Sequence, residues 1–430
     1  MSKKLLLFLI ALALPMVSVA GTQNSPKTNV VVSPYDDVQN VLEKIPFPED
    51  LSANIKQLYL SAQIERKKGN IRAAIRFYRK VLDKRPSFVR ARFELALCYM
   101  ASDRWDRADY YLRSAMASEG LPNDVKHVME EYRALVRRNK HWDFWFEFGD
   151  VPNVRSSIVD NDECIGGTCE KLTELKNVSG VNLAAGADYE FKLSDNWRWK
   201  NDVAFETNLY KENKYNDLSL AGSTGPRYVW DDGDIWFAGV VGRSWYSQKP
   251  LGWSYGAKID ANYDLTRRLS SGLILMGLNN SYDEYNDLLG GQTYTAVPHF
   301  TYYIDSTKYI ELLGEVGRET AKMDFLANYN YGIGLSFGTE MPYGFLVSLE
   351  PYLYWVDYDA EREIEKSDST RQRIKQRDFI QKCTLSLINT NIELLGFMPV
   401  FKVTYINKES NVPAPAYDKW VFGIGIKRKF

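Results

Sequence analysis

Hydrophobic and polar positions alternate along the chain from about residue 142 onward. The clearest stretches are "VNLAAGADYEFKL", which starts at Val181, and the final "WVFGIGIKRKF". A period of two places successive side chains on opposite faces of a strand. Because one face carries charged residues and requires water, the apolar face is left to meet lipid. The pattern therefore predicts a transmembrane antiparallel β-barrel over residues 142–430.

The connections between the predicted strands alternate between long and short, which predicts about 14 strands. The long connections cover 151–180, 211–217, 246–252, 282–292, 318–327, 357–377 and 407–419, and the short ones read "SDN", "DDGD", "LTRR", "DSTK", "EMPYG" and "LLGFMP". In outer-membrane barrels the short turns face the periplasm, so an even strand number places both ends of the barrel there.

Between residues 51 and 141 the period becomes helical, and glycine and proline become rare. A repeat of about 34 residues is visible, which is typical of tetratricopeptide repeats. Its matching positions are Gly69, Ala74, Ile75, Tyr78, Leu82 and Pro86, then Leu95, Ala96, Tyr99, Ala108, Leu112 and Ala115. Residues 122–140 predict a capping helix. We expect a short periplasmic helical domain over 51–141; the alternative is an ordinary pair of helical hairpins.

Two such repeats build one short concave face. By analogy with other repeats of this kind, the first helix of each pair lines that face. The residues expected to line a substrate-binding groove are therefore Tyr59, Gln63 and Arg66, followed by Arg90, Phe93 and Leu97. For Phe93 and Leu97, packing against the neighbouring helix is an equal alternative.

The first twenty residues, "MSKKLLLFLIALALPMVSVA", combine a basic start, a short apolar run and small residues at Ser18 and Ala20. This order predicts a secretory signal peptide over residues 1–20, because the apolar run is too short to span a bilayer. Residues 21–50 are rich in proline and polar residues, and they predict a linker or an extended arm.

Composition agrees with an exported barrel. Aromatic residues make up 14% of the chain, with 28 tyrosines and 11 tryptophans, and amphipathic rings collect at membrane interfaces. The sequence shows no nucleophile beside a base, no glycine loop for phosphate and no spacing typical of metal ligands. We therefore expect no enzymatic activity, no cofactor, no metal and no nucleic-acid partner.

The stretch "CIGGTC" places Cys164 and Cys169 five positions apart in a predicted extracellular loop. In an exported protein this spacing favours a local disulfide, and a metal site is disfavoured because no histidine is near. Cys98 falls within a helical pattern and is expected in the core.

The last strand must pair with the first so that no sheet edge remains in lipid. Its apolar face carries Trp420, Phe422 and Phe430. A C-terminal aromatic residue on such a strand resembles the signal read by the barrel-assembly machinery. We expect these three residues to act in assembly, with that machinery and outer-membrane lipids as partners.

A signal peptide, a short tetratricopeptide domain and a barrel of about 14 strands together resemble the surface lipoprotein assembly modulator (Slam) family. The stretches that carry the resemblance are "AAIRFYRKVLDKRPSFVRARFELALCYM", the passage into "WDFWFEFG", and "GPRYVW". The resemblance implies an α+β multidomain outer-membrane protein that helps substrate proteins reach the cell surface. The implied partner is an exported lipoprotein or a haemophore-like protein, since typical substrates are lipoproteins and haem- or transferrin-related binding proteins.

Charge divides between the two predicted domains. Residues 51–141 hold 20 Lys and Arg against 10 Asp and Glu, whereas residues 142–430 hold 30 against 40. A basic periplasmic domain attracts acidic partners. The alternatives are the acidic barrel mouth, anionic lipid headgroups, a substrate, or a solvated surface with no partner.

Two other functions fit the same architecture. A saccharide exporter also joins tetratricopeptide repeats to a barrel, but such exporters usually carry many more repeats. A passive porin has little use for a helical periplasmic domain. A lumen densely lined with charge and free of a plug would favour the porin.

Overall fold

The computed structural model describes residues 35–139, 142–151, 162–165, 168–170, 180–211, 213–284, 286–365, 371–392, 397–412 and 416–427. Helices precede strands along the chain. They are α1 (Tyr35–Lys44), α2 (Ala53–Lys67), α3 (Ile71–Lys84), α4 (Val89–Met100), α5 (Trp105–Met116) and α6 (Asn123–Asn139), with a short α7 (Asn286–Leu289) between two strands. Within the described ranges, no helix combines the length and the apolar character needed to cross a membrane.

Helices α2 to α5 form two hairpins, and α6 packs on α5. The turn between α2 and α3 contains Gly69 with a φ of +80°, a conformation that glycine adopts without strain. Several of the repeat positions named from the sequence are fully buried in one core: Ala74, Tyr78, Leu95, Ala96, Ala108, Leu112 and Ala115. The short helical repeat domain is confirmed.

Helix α1 lies where the sequence predicts a linker or extended arm over residues 21–50. Its face at Val38, Leu42 and the following Ile45 is buried against the repeats. The prediction is therefore wrong for residues 35–44, because the flanking prolines mask a helical spacing of apolar residues. The predicted signal peptide lies outside the described residues.

Fourteen antiparallel strands form a closed barrel, and the predicted strand number is confirmed. The strands are β1 (Trp142–Asp150), β4 (Gly180–Lys192), β5 (Trp197–Tyr210), β6 (Asp217–Val229), β7 (Gly233–Tyr246), β8 (Lys249–Asp264), β9 (Leu269–Tyr282), β10 (Gly291–Tyr303), β11 (Lys308–Glu319), β12 (Asn328–Met341), β13 (Phe345–Glu365), β14 (Arg371–Asn389), β15 (Met398–Ser410) and β16 (Tyr417–Lys427). A separate hairpin, β2 (Asp162–Ile165) with β3 (Thr168–Glu170), belongs to the connection between β1 and β4.

Two of the connections predicted to be long are shorter. Strands β7 and β8 are joined by Ser247 and Gln248 alone, and both residues have positive φ, as tight hairpin turns require. Strands β13 and β14 continue through most of the predicted 357–377 connection. Beyond Tyr358 and Asp378 they pair only with each other, so they project from the barrel as a two-stranded ribbon.

The outer surface of the barrel is apolar. In β16 the side chains of Trp420, Phe422 and Ile424 are more than half exposed, while Gly423 and Gly425 alternate with them on the inner face. The alternation at the end of the chain therefore sorts lipid-facing residues from residues that face the lumen, as the pattern predicts.

Candidate substrate groove and barrel mouth

The face shared by α2, α4 and α6, the first helix of each pair and the capping helix, is the repeat groove. Residues 35–50, which we call the arm, lie along it. The ring of Phe47 stands 5.6 Å from that of Tyr59 on α2. At the other end, Lys44 forms an ion pair with Asp124 on α6. The groove is therefore occupied by the chain's own residues.

Under the arm, one buried carboxylate gathers polar side chains of the groove. Glu94 of α4 accepts hydrogen bonds from the hydroxyls of Tyr59 and Tyr78 and, at 3.0 Å, from the amide of Gln63. Arg66 approaches the same carboxylate to 3.3 Å. Burial and the charge of Glu94 hold the pKa of Tyr59 above its ordinary value, so that its hydroxyl keeps its proton and donates. Three of the predicted groove residues thus surround Glu94.

The other three predicted groove residues differ in exposure. Phe93 is buried with its ring 5.9 Å from that of Tyr132 on α6, and Leu97 is also buried. Both pack against neighbouring helices. Arg90 instead reaches the arm, where it donates to the carbonyl of Ile45. Contact of any of the six residues with a substrate stays a prediction.

The helical domain lies across the periplasmic mouth of the barrel. It bonds to residues in or beside five of the six short turns around the ring: Arg138 to Arg198, Arg138 to Asp231, Glu130 to Arg267, Arg92 to Glu340, and Asp83 to Asn391. Because these turns surround the lumen, the helices cover its opening.

Three arginines of the helical domain meet at one carboxylate of the barrel. Asp264, the last residue of β8, lies 3.0 Å from Arg133 and 3.8 Å from Arg113, and Arg137 pairs with the same side chain. Of the partners considered for the basic domain, the structure shows contact with acidic residues at the barrel mouth. At this point basic side chains of the helical domain surround a carboxylate of the barrel.

A second interface contact is more deeply buried. Arg92 on α4 has no exposed side-chain surface, and its guanidinium bonds to both oxygens of Glu340 at the end of β12. The hydroxyl of Tyr110 also donates to Glu340. We call these three residues the latch. Burial, followed by the charge of Glu340, raises the pKa of Tyr110, which keeps this donor protonated.

Paired charges line the inner wall of the barrel. Arg227 donates to Glu190 at 2.8 Å and to Asp234 at 3.0 Å, and all three side chains are buried. Further inner pairs are Lys258 with Asp202 and Lys408 with Asp378. The lumen is thus lined with charge, as in a porin, but the helical domain lies over its mouth.

The seam between the first and last strands is closed on the lumen side by an ion pair. In the pairing of β1 with β16, Trp145 lies opposite Lys427 at one end and Gly149 lies opposite Gly423 at the other. Lys402 of β15 reaches across β16 to Glu147 of β1. It can do so because the intervening inner positions of β16 are glycines, which present no side chain in its path.

Some predicted residues fall outside what is described. Phe430 and the side chains of Cys164 and Cys169 are among them, so the disulfide and the assembly role stay predictions. Cys98 is buried in the core as expected, and burial raises the pKa of its thiol to about 12. Among the described residues, His, Cys, Asp and Glu side chains form no group of three that could hold a metal.

The residues that sequence reasoning missed are Phe47, Glu94, Asp264 and the latch. A signal for the arm was present in the helical spacing of its apolar residues. For Arg92 and Glu340 no local signal exists, because they are 248 positions apart in the chain.

Comparison with known proteins bears on both domains. Residues 144–430 match the family model described as "Surface lipoprotein assembly modifier", and residues 65–126 match a tetratricopeptide repeat model. A protein of Pasteurella multocida (strain Pm70) with the same description is 21% identical over 383 residues, which is 84% of this chain and 74% of the relative.

Solved structures of outer-membrane proteins are among those similar to this chain, with low sequence identity. A "Bacterial polysaccharide outer membrane secretin" is 10% identical with a TM-score of 0.33, covering 67% of this chain and 98% of its own. CdiB from Escherichia coli is 10% identical with a TM-score of 0.36, covering 66% of this chain and 62% of its own. At these scores neither likeness bears on function.

Proposed function

Because the chain belongs to the surface lipoprotein assembly modifier family, we propose that it delivers exported lipoproteins across the outer membrane to the cell surface. The observation that carries the proposal is the position of the helical domain, which lies over the periplasmic mouth and is held there by the latch and by Asp264. A cargo arriving from the periplasm meets this domain before it meets the barrel. Soluble haem- or transferrin-related binding proteins are proposed as a second substrate class.

The covered mouth supports this proposal over the two alternatives. A passive porin gains nothing from a basic domain whose arginines pair with carboxylates at the mouth of its own barrel. A saccharide exporter of the repeat-plus-barrel type is disfavoured by the small number of repeats, since each repeat contributes only part of a binding surface.

Assembly of the barrel completes the proposal. We propose that Trp420, Phe422 and Phe430 are read by the barrel-assembly machinery when the last strand closes on the first. Trp420 and Phe422 face outward, where both that machinery and lipid can contact them. Changing Phe430 to Asp should lower the amount of heat-modifiable barrel, and unchanged levels would contradict this assembly role.

Surface labelling of a co-expressed candidate lipoprotein tests the main proposal. Three strains are compared: one with the full chain, one without it, and one in which the signal peptide is joined directly to Trp142. We expect surface lipoprotein only with the full chain, because the shortened chain keeps every barrel strand but lacks the domain that meets the cargo. Total lipoprotein and heat-modifiable barrel are measured as controls.

Equal surface labelling in all three strains would contradict the proposal. Faster uptake of small saccharides by the shortened chain, with no effect of either chain on lipoprotein display, would favour the porin instead.

A further inference from the structure

The arm has two parts that are held differently. Its helical part buries Val38, Leu42 and Ile45 in the core of the repeats, and it is integral to the fold. The following "PFPED" stretch is largely exposed, and Phe47 keeps 38% of its surface accessible. Residues 46–50 can therefore leave the groove without exposing the core of the repeats.

The ring of Phe47 occupies a defined place on the groove. Its centroid lies 5.6 Å from the ring of Tyr59 and 5.4 Å from that of Phe88, both at steep angles. The guanidinium of Arg90 stands 5.3 Å from the same centroid. Two ring edges and a cation are the surroundings that aromatic side chains prefer. We call the three groove residues around this ring the aromatic site.

A carboxylate completes the contact three residues later. Asp50 pairs with Arg85 at 2.9 Å at the end of the groove, where both side chains are exposed. Pro46 and Pro48 flank Phe47 and favour an extended backbone there, and a turn at Glu49 and Asp50 then brings the carboxylate to Arg85. Aromatic contacts and ion pairs at exposed positions are individually weak, so this stretch is held loosely.

We propose that the aromatic site and Arg85 form a binding site for a short segment of an exported polypeptide, and that "PFPED" is its built-in competitor. The segment carries an aromatic residue and, about three residues further on, a carboxylate. This inference rests on the proposed delivery of exported proteins, since it assigns the feature by which the helical domain recognises them. The domain binds cargo only after the chain's own segment has left.

A fluorescent peptide with the sequence of residues 43–50, "EKIPFPED", is the probe, and its binding to the full chain is measured in detergent micelles. If the wild-type site is filled by Phe47 about nine-tenths of the time, its removal raises the apparent affinity about tenfold. We therefore expect Phe47→Ala to bind the probe about tenfold more tightly than wild type. Asp50→Ala should shift affinity in the same direction by less, and Arg85→Ala in the Phe47→Ala background should reverse part of the gain.

The matched control is the same peptide with alanine at the position of Phe47, and it should bind none of the variants. Equal probe affinity for wild type, Phe47→Ala and Asp50→Ala would overturn the inference, and so would equal binding of the two peptides. If Phe47→Ala lowers the unfolding temperature of the helices, Asp50→Ala decides alone, because its side chain is exposed.

Peptide binding requires no transport, which separates this inference from the proposed function. If the chain has no effect on lipoprotein display but Phe47→Ala binds the probe more tightly than wild type, the proposed function is refuted and the binding site stands. Normal lipoprotein display together with equal probe affinities for wild type, Phe47→Ala and Asp50→Ala would refute the binding site alone.

Discussion

The helical domain and the barrel are stabilised by different interactions. In the helical domain a single apolar core runs from Val38 to Val136 through all six helices. Among the described residues of the barrel, the clusters of buried apolar side chains are small and separate, such as Leu346 with Ile388 and its neighbours. The barrel depends instead on a ladder of backbone hydrogen bonds that closes on itself.

This difference decides which changes each region tolerates. A domain built on side-chain packing is sensitive to the loss of a buried group. A closed ladder in lipid is sensitive to anything that separates two backbones, since a broken backbone hydrogen bond has no water to replace it. Substitutions in one region should therefore leave the other folded, because side chains that donate to carboxylates and to backbone carbonyls join the two regions, as Arg198 does to Arg138.

The largest effect is expected from Glu94→Ala. The change removes the carboxylate shared by Tyr59, Tyr78 and Arg66, and losing one partner of a buried ion pair costs about 3–5 kcal/mol. Circular dichroism on heating should show the helices unfolding at a lower temperature than in wild type, while the heat modifiability of the barrel stays unchanged. Glu65→Ala, at a partly exposed pair with Lys68, is the control with little change. Equal loss of barrel structure would contradict the independence of the two regions.

The next effect tests the latch between the regions. Arg92→Ala and Glu340→Ala should each weaken docking of the helical domain by about 2–5 kcal/mol, because each leaves a buried charge without this ion partner. The double variant should cost less than the sum of the two. Limited proteolysis at the junction between α6 and β1 measures the docking, and both regions should remain folded.

An additive result for the double variant would mean that Arg92 and Glu340 act separately. Arg267→Ala, at the half-exposed pair with Glu130, serves as the comparison. It should cost less than about 1 kcal/mol, and its effect should fade at high salt.

The smallest of the three effects concerns one glycine of the ladder. A Cβ at Gly256 in β8 would lie 1.9 Å from the backbone oxygen of Gly277, so Gly256→Ala must push two strands apart. Overpacking of this kind costs about 1–3 kcal/mol, and the fraction of heat-modifiable barrel should fall. At Gly239 on β7 the nearest atom is 3.9 Å away, and Gly239→Ala is the matched control. The same loss in both variants would contradict the close approach as the cause.

Most of the architecture was predictable from sequence because its signals are local. The alternation of β16 and the spacing of the repeats each involve residues a few positions apart, which suffices for strand number and repeat frame. The helix of the arm was not predicted, because it is only ten residues long and lies between Pro34 and Pro46. The groove was placed on the expected helices, but its occupant was missed, since no local pattern reveals that Phe47 meets Tyr59 and Phe88.

The short junction between α6 and β1 gives the docked helical domain a further property. Asn139 ends α6 and Trp142 begins β1, so their Cα atoms are at most about 11 Å apart. A detached domain therefore never diffuses away, and a short tether of this kind keeps its docking surface at a local concentration of about millimolar. The tether adds to the contacts at the mouth, and docking of the domain needs no second molecule. Because the chain joins the domain to β1, any separation between domain and barrel is smallest on that side of the mouth.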